Sequence, residues 1–346
     1  MPIRDDLLNA ARRANEVLEE FEVRKRIEQG YTRIDPVRIA ENAGVPVMFQ
    51  PLQRLLGAYI NEGRPGIMVN VDRGPGLIHM TCAHELGHFF LGHKPHIDFS
   101  VEYGDDADSV ERQADQFAFS LLVPRWLLKR ILSRQGWLTS LSDPVVVYQL
   151  SLRLGTSFTS TIWTLYRMKI IGWAVAQELV RISPKKVKAH LTGGEVPDDA
   201  GDVWLVNQCD RELILEPHRS DHFVFDLPSN AGSGYVWSLD DVTEKGYVVE
   251  PLQNDIRSES VETHFGPNPI FGAKRTNRFV VSPGQEVHEN DAERESFVMH
   301  QRRPWEKSAP GGGENECMFN AEFEQFGVGL DRKERSRRVA EVKATA

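Results

Sequence analysis

The segment His84-Glu85-Leu86-Gly87-His88 constrains this chain more than any other part of its 346 residues. One helical turn separates the two histidines, so both imidazoles leave one face of a helix and can reach the same zinc ion. Glu85 lies about 100° around that helix, where a general base can act on an attacking water. The flanking apolar residues predict a helix from about Leu77 to His93. Gly87 costs that helix about 1 kcal/mol relative to alanine, which a packed or metal-filled site would explain.

Glu111, in the segment Glu111-Arg112-Gln113-Ala114-Asp115, is the third candidate ligand. It lies in a second predicted helix, from Ser109 to Val123, which Pro124 ends. Two histidines, one glutamate and an open fourth position are typical of a catalytic zinc site rather than a closed structural one. Asp115, one turn after Glu111, is expected to accept the second ring N–H of a ligating histidine. The alternative is a solvated helix that carries these residues by chance.

The composition indicates a soluble globular protein of two domains. Hydrophobic residues make up 40% of the chain and charged residues 26%, which is ordinary for this class. The net charge of −9 argues against a general nucleic-acid binder. The three widely spaced cysteines form neither a disulfide framework nor a cysteine-based zinc site. The first residues lack a signal-peptide pattern, and no apolar run approaches about 18 residues, so we expect a cytoplasmic protein without membrane association.

The hydrophobic pattern predicts an α+β protein with two different halves. Residues 1–183 are mostly helical with a small sheet, and their helical end spans 144–172. Residues 184–202 are rich in Pro, Gly, Lys and Asp and are predicted to be a linker. From 203 to 330 the period changes to two, with short strands between turn residues, which predicts an all-β sandwich. Residues 331–346 form a charged tail, interpreted either as a frayed solvated helix or as an electrostatic contact.

The segment from Val147 to Met168 has the pattern of a helix-turn-helix. One interpretation is DNA binding through the second helix. The other is that both helices pack beneath the zinc site. The second helix is rich in Ile, Trp, Leu and Met and poor in side chains that read base edges. We therefore favour packing and do not expect direct DNA binding.

The first half resembles the ImmA/IrrE family of zinc-dependent endopeptidases, from about Asp35 to Gly172. The resemblance is carried by Leu56-Gly57-Ala58-Tyr59, His84-Glu85-Leu86-Gly87-His88, Glu111-Arg112-Gln113-Ala114-Asp115-Gln116-Phe117-Ala118 and Leu121-Leu122-Val123-Pro124. It implies a zincin-like domain of the gluzincin type, with zinc bound by His84, His88 and Glu111 and with Glu85 as the catalytic acid/base. It also implies a regulatory peptidase that cleaves helix-turn-helix transcriptional repressors of stress responses or mobile elements.

The second half is similar to the chagasin-type inhibitors of papain-like cysteine peptidases, which have an immunoglobulin-like fold. Residues 227–237, 271–276 and 303–305 carry this resemblance, in three loops expected at one end of the sandwich. It implies protein-binding residues, which are Ser233, Gly234, Lys274, Arg303 and Trp305. The family's glycine-rich middle loop is replaced here by bulkier, charged residues, so an acidic or extended polypeptide is expected as partner rather than a narrow papain-like cleft. Packing inside the sandwich is the alternative for Trp237 and Trp305.

These patterns together predict a zinc metallo-endopeptidase with a C-terminal protein-binding β-sandwich and a protein substrate. Glu85 would take a proton from the attacking water and deliver it to the leaving amine. The donor for the developing oxyanion is not identified, and His93, Tyr103 and Tyr59 are candidates. Two other functions stay open: a cysteine-peptidase inhibitor regulated by its metal domain, and a non-catalytic zinc-dependent sensor. An intact Glu85 favours the enzyme, because binding alone needs no general base.

Overall fold

The computed structural model describes residues 2–94, 96–98, 109–194, 201–252, 276–285, 287, 293–305, 316–330 and 334–339. The fold is α+β, as predicted. The chain divides into two compact units: residues 1–181 with 325–346, and residues 182–324. Across the described ranges, no helix combines the length and the apolar character needed to cross a membrane.

The first unit contains helices around a mixed sheet, with elements numbered along the whole chain. Its helices are α1 (Pro2–Glu20), α2 (Val23–Glu28), α3 (Pro36–Asn42), α4 (Pro75–Leu91), α5 (Ser109–Leu122), α6 (Arg125–Gln135), α7 (Pro144–Leu154), α8 (Phe158–Arg167) and α9 (Trp173–Val180). Its strands are β1 (Val47–Gln50), β2 (Gly57–Glu62), β3 (Arg64–Asn70), β4 (His96–Asp98) and β13 (Gly329–Leu330). The strand order is β13-β1-β3-β2-β4, in which β1 and β3 are parallel and β2 is antiparallel to β3.

The N-terminal helices begin and end where local backbone chemistry requires it. Two helices, α1 and α2, form here rather than one, because Glu22 between them is left-handed with φ 49°. A left-handed residue cannot continue a right-handed helix. Asp35 caps α3: its side chain accepts a hydrogen bond from the Arg38 backbone N–H, and Pro36 follows it at the first helical position.

Helix α4 is the central element of the first unit. It packs on β2, β3 and α5, and every residue from Ile78 to His88 is buried. It ends at Gly92, which is left-handed with φ 71° and whose N–H bonds back into the last turn. The two helices predicted to carry the metal ligands are therefore confirmed as α4 and α5, the second ending one residue before Val123.

Helices α7 and α8 form the predicted helix pair, joined through Gly155 and capped at Ser157. His79 of α4 donates a hydrogen bond from Nδ1 to the Gly155 carbonyl, at 2.9 Å. The inward residues of both helices are buried, among them Leu150 and Ile162. These contacts agree with the packing interpretation, while the expected absence of direct DNA binding stays a prediction.

The second unit consists of two sheets and short helices. Its strands are β5 (Val203–Asn207), β6 (Ile214–Leu215), β7 (His222–Pro228), β8 (Val236–Ser238), β9 (Tyr247–Leu252), β10 (Thr276–Pro283), β11 (Arg294–Arg302) and β12 (Glu316–Glu322). One sheet has the order β5-β7-β10-β9 and the other β6-β12-β11-β8. Phe223 of the first sheet contacts Phe297 and Phe319 of the second, with ring centroids 5.5 and 5.6 Å away. These rings, with Phe225 and Tyr247, form the core of the unit.

The predicted linker is partly helical. Pro184–Leu191 form α10, whose Val187 and Leu191 are buried in the second unit. Turn-forming residues therefore misled the prediction here, because Pro184 opens the helix instead of breaking it. A further short helix, α11 (Asp240–Glu244), was not predicted.

The C-terminal segment belongs to the first unit, which differs from the predicted sandwich boundary at residue 330. Strand β13 pairs antiparallel with β1. Phe326 just before it packs on Phe49 of β1 and on His79 of α4, with ring centroids 5.3 and 5.6 Å apart. Helical residues 334–339 follow, and Arg335 donates a hydrogen bond to the Leu330 carbonyl. We call residues 325–330 the clasp.

Candidate metal centre

Three side chains converge where α4 faces α5. His84 and His88 are one turn apart on α4, and their Nε2 atoms are 3.0 Å from each other. Glu111, in the first turn of α5, has Oε2 3.2 Å from Nε2 of His84 and Oε1 3.6 Å from Nε2 of His88. Both imidazoles are buried. The structure thus brings the predicted ligand set together.

The spacing of these three side chains fits a metal ion with tetrahedral preference. Ligand atoms about 2.0–2.1 Å from a tetrahedral zinc ion lie about 3.3 Å from one another. The separations of 3.0, 3.2 and 3.6 Å among the two Nε2 atoms and the two carboxylate oxygens of Glu111 bracket that value. Imidazole nitrogen and carboxylate oxygen are ligands that zinc accepts. A cation between them also offsets the repulsion of electron pairs that face one another in a buried site. His84, His88 and Glu111 therefore form a group that could hold a metal ion.

His84 is oriented by the carboxylate predicted for that task. Its Nδ1 is 2.9 Å from Oδ1 of Asp115, one turn after Glu111 on α5. An ionised carboxylate can only accept, so Nδ1 carries the proton and donates it. The neutral ring then directs the lone pair of Nε2 toward the ligand cluster. This is the arrangement by which a carboxylate raises the basicity of a ligating imidazole.

His88 contacts a further imidazole, which in turn contacts an amide side chain. Its Nδ1 is 3.1 Å from Nδ1 of His93, which follows α4. The Gln113 side chain hydrogen-bonds His93, and the Gln113 amide nitrogen donates to the Ser109 carbonyl at 3.1 Å. Sequence reasoning named His93 only as an oxyanion donor and did not notice Gln113. The spacing offers no signal for Gln113, because a residue two positions after Glu111 lies about 200° around the helix and does not share the face of that ligand.

Two pKa shifts follow from this enclosure. Burial, followed by the nearby His88, lowers the pKa of His93 despite the opposing hydrogen bond to Gln113. Burial alone would raise the pKa of Glu111. The hydrogen bonds and charges of His84 and His88 outweigh it and hold that pKa far below its ordinary value. Glu111 is therefore ionised at neutral pH, as a metal ligand must be.

Two glycines let the surrounding backbone approach the site. A Cβ on Gly87 would lie 3.0 Å from Cα of Ala114, so the missing side chain allows α4 and α5 to pack closely. A Cβ on Gly57 of β2 would lie 2.8 Å from Oε1 of Glu85 and closer still to Thr81. The carboxylate of Glu85 is thus placed between its own helix and strand β2. It is fully buried in the protein.

The oxyanion candidates lie in different surroundings. Tyr59 of β2 is buried against Phe89, with ring centroids 6.2 Å apart, and burial raises its pKa. His93 contacts His88, as described above. Tyr103 lies outside the described residues. None of these placements assigns the oxyanion donor, so that assignment stays a prediction.

Two of the three predicted loops of the second unit meet. A Cβ on Gly234 would lie 2.5 Å from the Trp305 ring, so the indole lies directly over this glycine. The guanidinium of Arg303 lies over the ring of Tyr235, 4.6 Å from its centroid. Ser233 is exposed beside them. Lys274, in the third loop, lies outside the described residues.

The two tryptophans of these loops have different surroundings. Trp237 is buried, and its indole N–H donates to the Pro228 carbonyl at 2.8 Å, which is the packing alternative. Trp305 is 69% exposed, so packing within the sandwich does not account for it.

Comparison with known proteins supports a peptidase-type domain in the first unit. Residues 40–161 match the model of the IrrE N-terminal-like domain of the peptidase M78 family. The match contains β1 to β3, α4 and α5 with the ligand cluster, and most of the α7–α8 pair. It covers about a third of the chain, all of it within the first unit.

Other comparisons add little to this assignment. No curated protein matches the chain. Among solved structures, a cysteine protease inhibitor from Entamoeba histolytica, EhICP2, is 12% identical, with a TM-score of 0.24. The similarity covers 36% of this chain and 96% of that one.

Proposed function

We propose that this protein is a zinc-dependent endopeptidase. The observation that carries the proposal is the convergence of His84, His88 and Glu111 within 4.8 Å of one another, with a fourth side chain, Glu85, adjacent in sequence but outside the ligand set. A structural metal site has no need of that extra carboxylate. The match of residues 40–161 to a peptidase family supports the same reaction class.

In this proposal the chain's own groups perform positioning and proton transfer. Bound by the three ligands, zinc would supply Lewis acidity toward the scissile carbonyl and lower the pKa of the attacking water. Glu85 accepts the proton from that water and delivers it to the leaving amine. Asp115 keeps the proton of His84 on Nδ1 and so presents Nε2 as a ligand. Gly57 allows β2 to lie close above the Glu85 carboxylate, which excludes bulk water from the base.

We infer a regulatory role with a specific protein substrate, in particular a helix-turn-helix transcriptional repressor. This inference rests on the resemblance of the motif residues to the ImmA/IrrE endopeptidases. The experiment is to incubate zinc-reconstituted and metal-free protein with a peptide library and with repressors encoded beside its gene, and to identify cleavage sites by mass spectrometry. Zinc-dependent cleavage of a repressor supports the proposal. Zinc binding without cleavage of any peptide or repressor favours the non-catalytic sensor.

We propose that the second unit is a protein-binding module with an immunoglobulin-like sandwich. Its two sheets stack through Phe223, Phe297 and Phe319, as a sandwich requires. Trp305 lies over Gly234 and Arg303 lies over Tyr235, and aromatic and arginine side chains of this kind dominate interface energies. Recognition of the protein substrate is the task we assign to this edge. The alternative, inhibition of a papain-like peptidase, is tested directly by adding the whole protein to papain.

A further inference from the structure

The two histidine ligands of the candidate metal centre are supported in different ways. His84 donates directly to a carboxylate, Asp115. Nδ1 of His88 lies 3.1 Å from Nδ1 of a second imidazole, His93, which is itself half-buried and hydrogen-bonded to the Gln113 amide. Support by a carboxylate needs only that one residue, in its ionised state. Support by an imidazole requires that the partner ring be held in one tautomer, because Nδ1 of His93 must accept rather than donate a hydrogen bond.

Gln113 is placed to impose that tautomer. Its amide nitrogen donates to the Ser109 carbonyl at 3.1 Å and also reaches Ser109 Oγ at 3.4 Å. Because Ser109 engages the amide nitrogen, the oxygen of Gln113 is the group left to accept a hydrogen bond from the His93 ring. His93 uses Nδ1 toward His88, which leaves Nε2 as the donor to Gln113. With the proton on Nε2, Nδ1 of His93 has a lone pair for the N–H of His88.

We propose that Gln113 and His93 are positioning residues that present Nε2 of His88 to the metal. The series of hydrogen bonds runs from the Ser109 carbonyl through the Gln113 amide and the His93 ring to Nδ1 of His88. Helix α5 thereby orients both ligating imidazoles, His84 through Asp115 and His88 through Gln113. This inference rests on the proposed function, since it assumes that His88 is a metal ligand.

The test measures zinc affinity rather than hydrolysis. Zinc Kd is determined by competition with a chromophoric chelator, and the thermal unfolding of each metal-free variant is recorded in parallel. His93→Leu removes the acceptor and is expected to raise the zinc Kd by about 10–100-fold, the usual range for an outer partner of a ligand. His93→Asn places an amide oxygen near the position of Nδ1, so it should restore most of the affinity.

Gln113 provides the test that a purely structural role would not pass. Gln113→Ala should raise the zinc Kd in the wild-type background. It should have no further effect in the His93→Leu background, because the two residues act in series. Gln116→Ala is the matched control on the same helix. The Gln116 side chain hydrogen-bonds Ser120, which is not part of this series of hydrogen bonds, so its loss should leave the zinc Kd unchanged.

The outcomes separate this inference from the proposed function. Wild-type zinc affinity in His93→Leu overturns the role of His93 and Gln113 as positioning residues. Additive effects of His93→Leu and Gln113→Ala on the zinc Kd overturn it too. Equal losses in His93→Asn and His93→Leu overturn it as well, because the acceptor would not be what matters. If His84→Ala also binds zinc normally, the metal assignment itself fails. If His93→Leu does not fold, Gln113→Ala alone decides, with a raised Kd expected and an unchanged Kd refuting the role.

Discussion

Gly87 of α4 and Ala114 of α5 approach so closely that a Cβ on the glycine would lie 3.0 Å from the Cα of the alanine and 3.1 Å from its carbonyl oxygen. The atoms on the α5 side belong to backbone, which cannot rotate away as a flexible side chain can. This contact sets the distance between the helix that carries His84 and His88 and the helix that carries Glu111.

Gly87→Ala should therefore weaken both the fold and the metal site. Alanine gains about 1 kcal/mol of helix propensity over glycine, but overpacking costs about 1–3 kcal/mol and moves the two helices apart. We expect a net loss of stability in urea unfolding and a raised zinc Kd. Gly66→Ala is the control, because its Cβ would meet only the Pro46 carbonyl at 3.8 Å. A Gly87→Ala protein as stable as the control, with normal zinc affinity, would contradict this account.

Removing a ligand should remove the metal. The wild-type protein should bind one zinc ion per chain, and His84→Ala and His88→Ala should each lose it, because two remaining ligands hold zinc poorly. Glu111→Gln should weaken binding without unfolding the unit. The measurement is metal content after dialysis, with His300→Ala in the second unit as control. Full zinc retention in both histidine variants would remove these residues from the site.

Glu85→Gln should separate metal binding from chemistry. Glutamine keeps the size and polarity of the side chain but cannot accept the proton, so zinc content should stay at the wild-type level. Hydrolysis of a cleavable peptide should fall by about 10²-fold or more, the lower range for losing a general base. A wild-type rate in this variant would show that Glu85 is not the base.

Trp305→Ala should impair capture of a protein substrate but not peptide hydrolysis. Trp305 is 69% exposed and lies over Gly234, and loss of an interface hot spot costs about 2 kcal/mol or more. We expect kcat/KM for the intact protein substrate to fall at least tenfold, with the rate on a short peptide unchanged. Trp173→Ala, a 56% exposed tryptophan of the first unit, is the control.

Two results would change this view of the second unit. An unchanged kcat/KM in Trp305→Ala would remove the indole from substrate recognition. Tight inhibition of papain by the wild-type protein, lost in Trp305→Ala, would assign these loops to the inhibitor function instead.

Phe326→Ala should loosen the first unit although residue 326 is distant from the ligands in sequence. Its ring packs on Phe49 and His79 and is partly exposed, so the cost should be about 1–3 kcal/mol, below the roughly 3–5 of a fully buried phenylalanine. Amide exchange of β1 should accelerate. Val328→Ala, in the same clasp but 58% exposed, should leave exchange unchanged, and equal effects of both changes would contradict a role for the ring.

Sequence reasoning succeeded where a local pattern determines structure. Helices α4 and α5 follow from apolar periodicity, and the clustering of His84, His88 and Glu111 follows from the histidine spacing and the acidic residues of α5. The strands of the second unit follow from period two and turn residues. In each case the pattern that predicts the structure spans only a few neighbouring residues.

Sequence reasoning failed where the role of a residue depends on segments that are distant in sequence. Gln113 is an ordinary polar helix residue until His93 is brought beside it. Strand β13 has two residues, too few for a pattern, and its partner β1 lies far away in sequence. The start of α10 could not be predicted, because Pro184 is equally typical of a turn and of the first position of a helix.

The order of these segments along the chain has a consequence for biosynthesis. Because residues 182–324 separate the clasp from the rest of the first unit, β1 leaves the ribosome long before β13 does. During that interval the edge of the nascent sheet has unpaired N–H and C=O groups, which can pair with other chains. A translation product that stops inside the second unit would carry all three candidate ligands and still lack Phe326 and β13. The sheet behind α4 is thus completed only after the second unit has been synthesised.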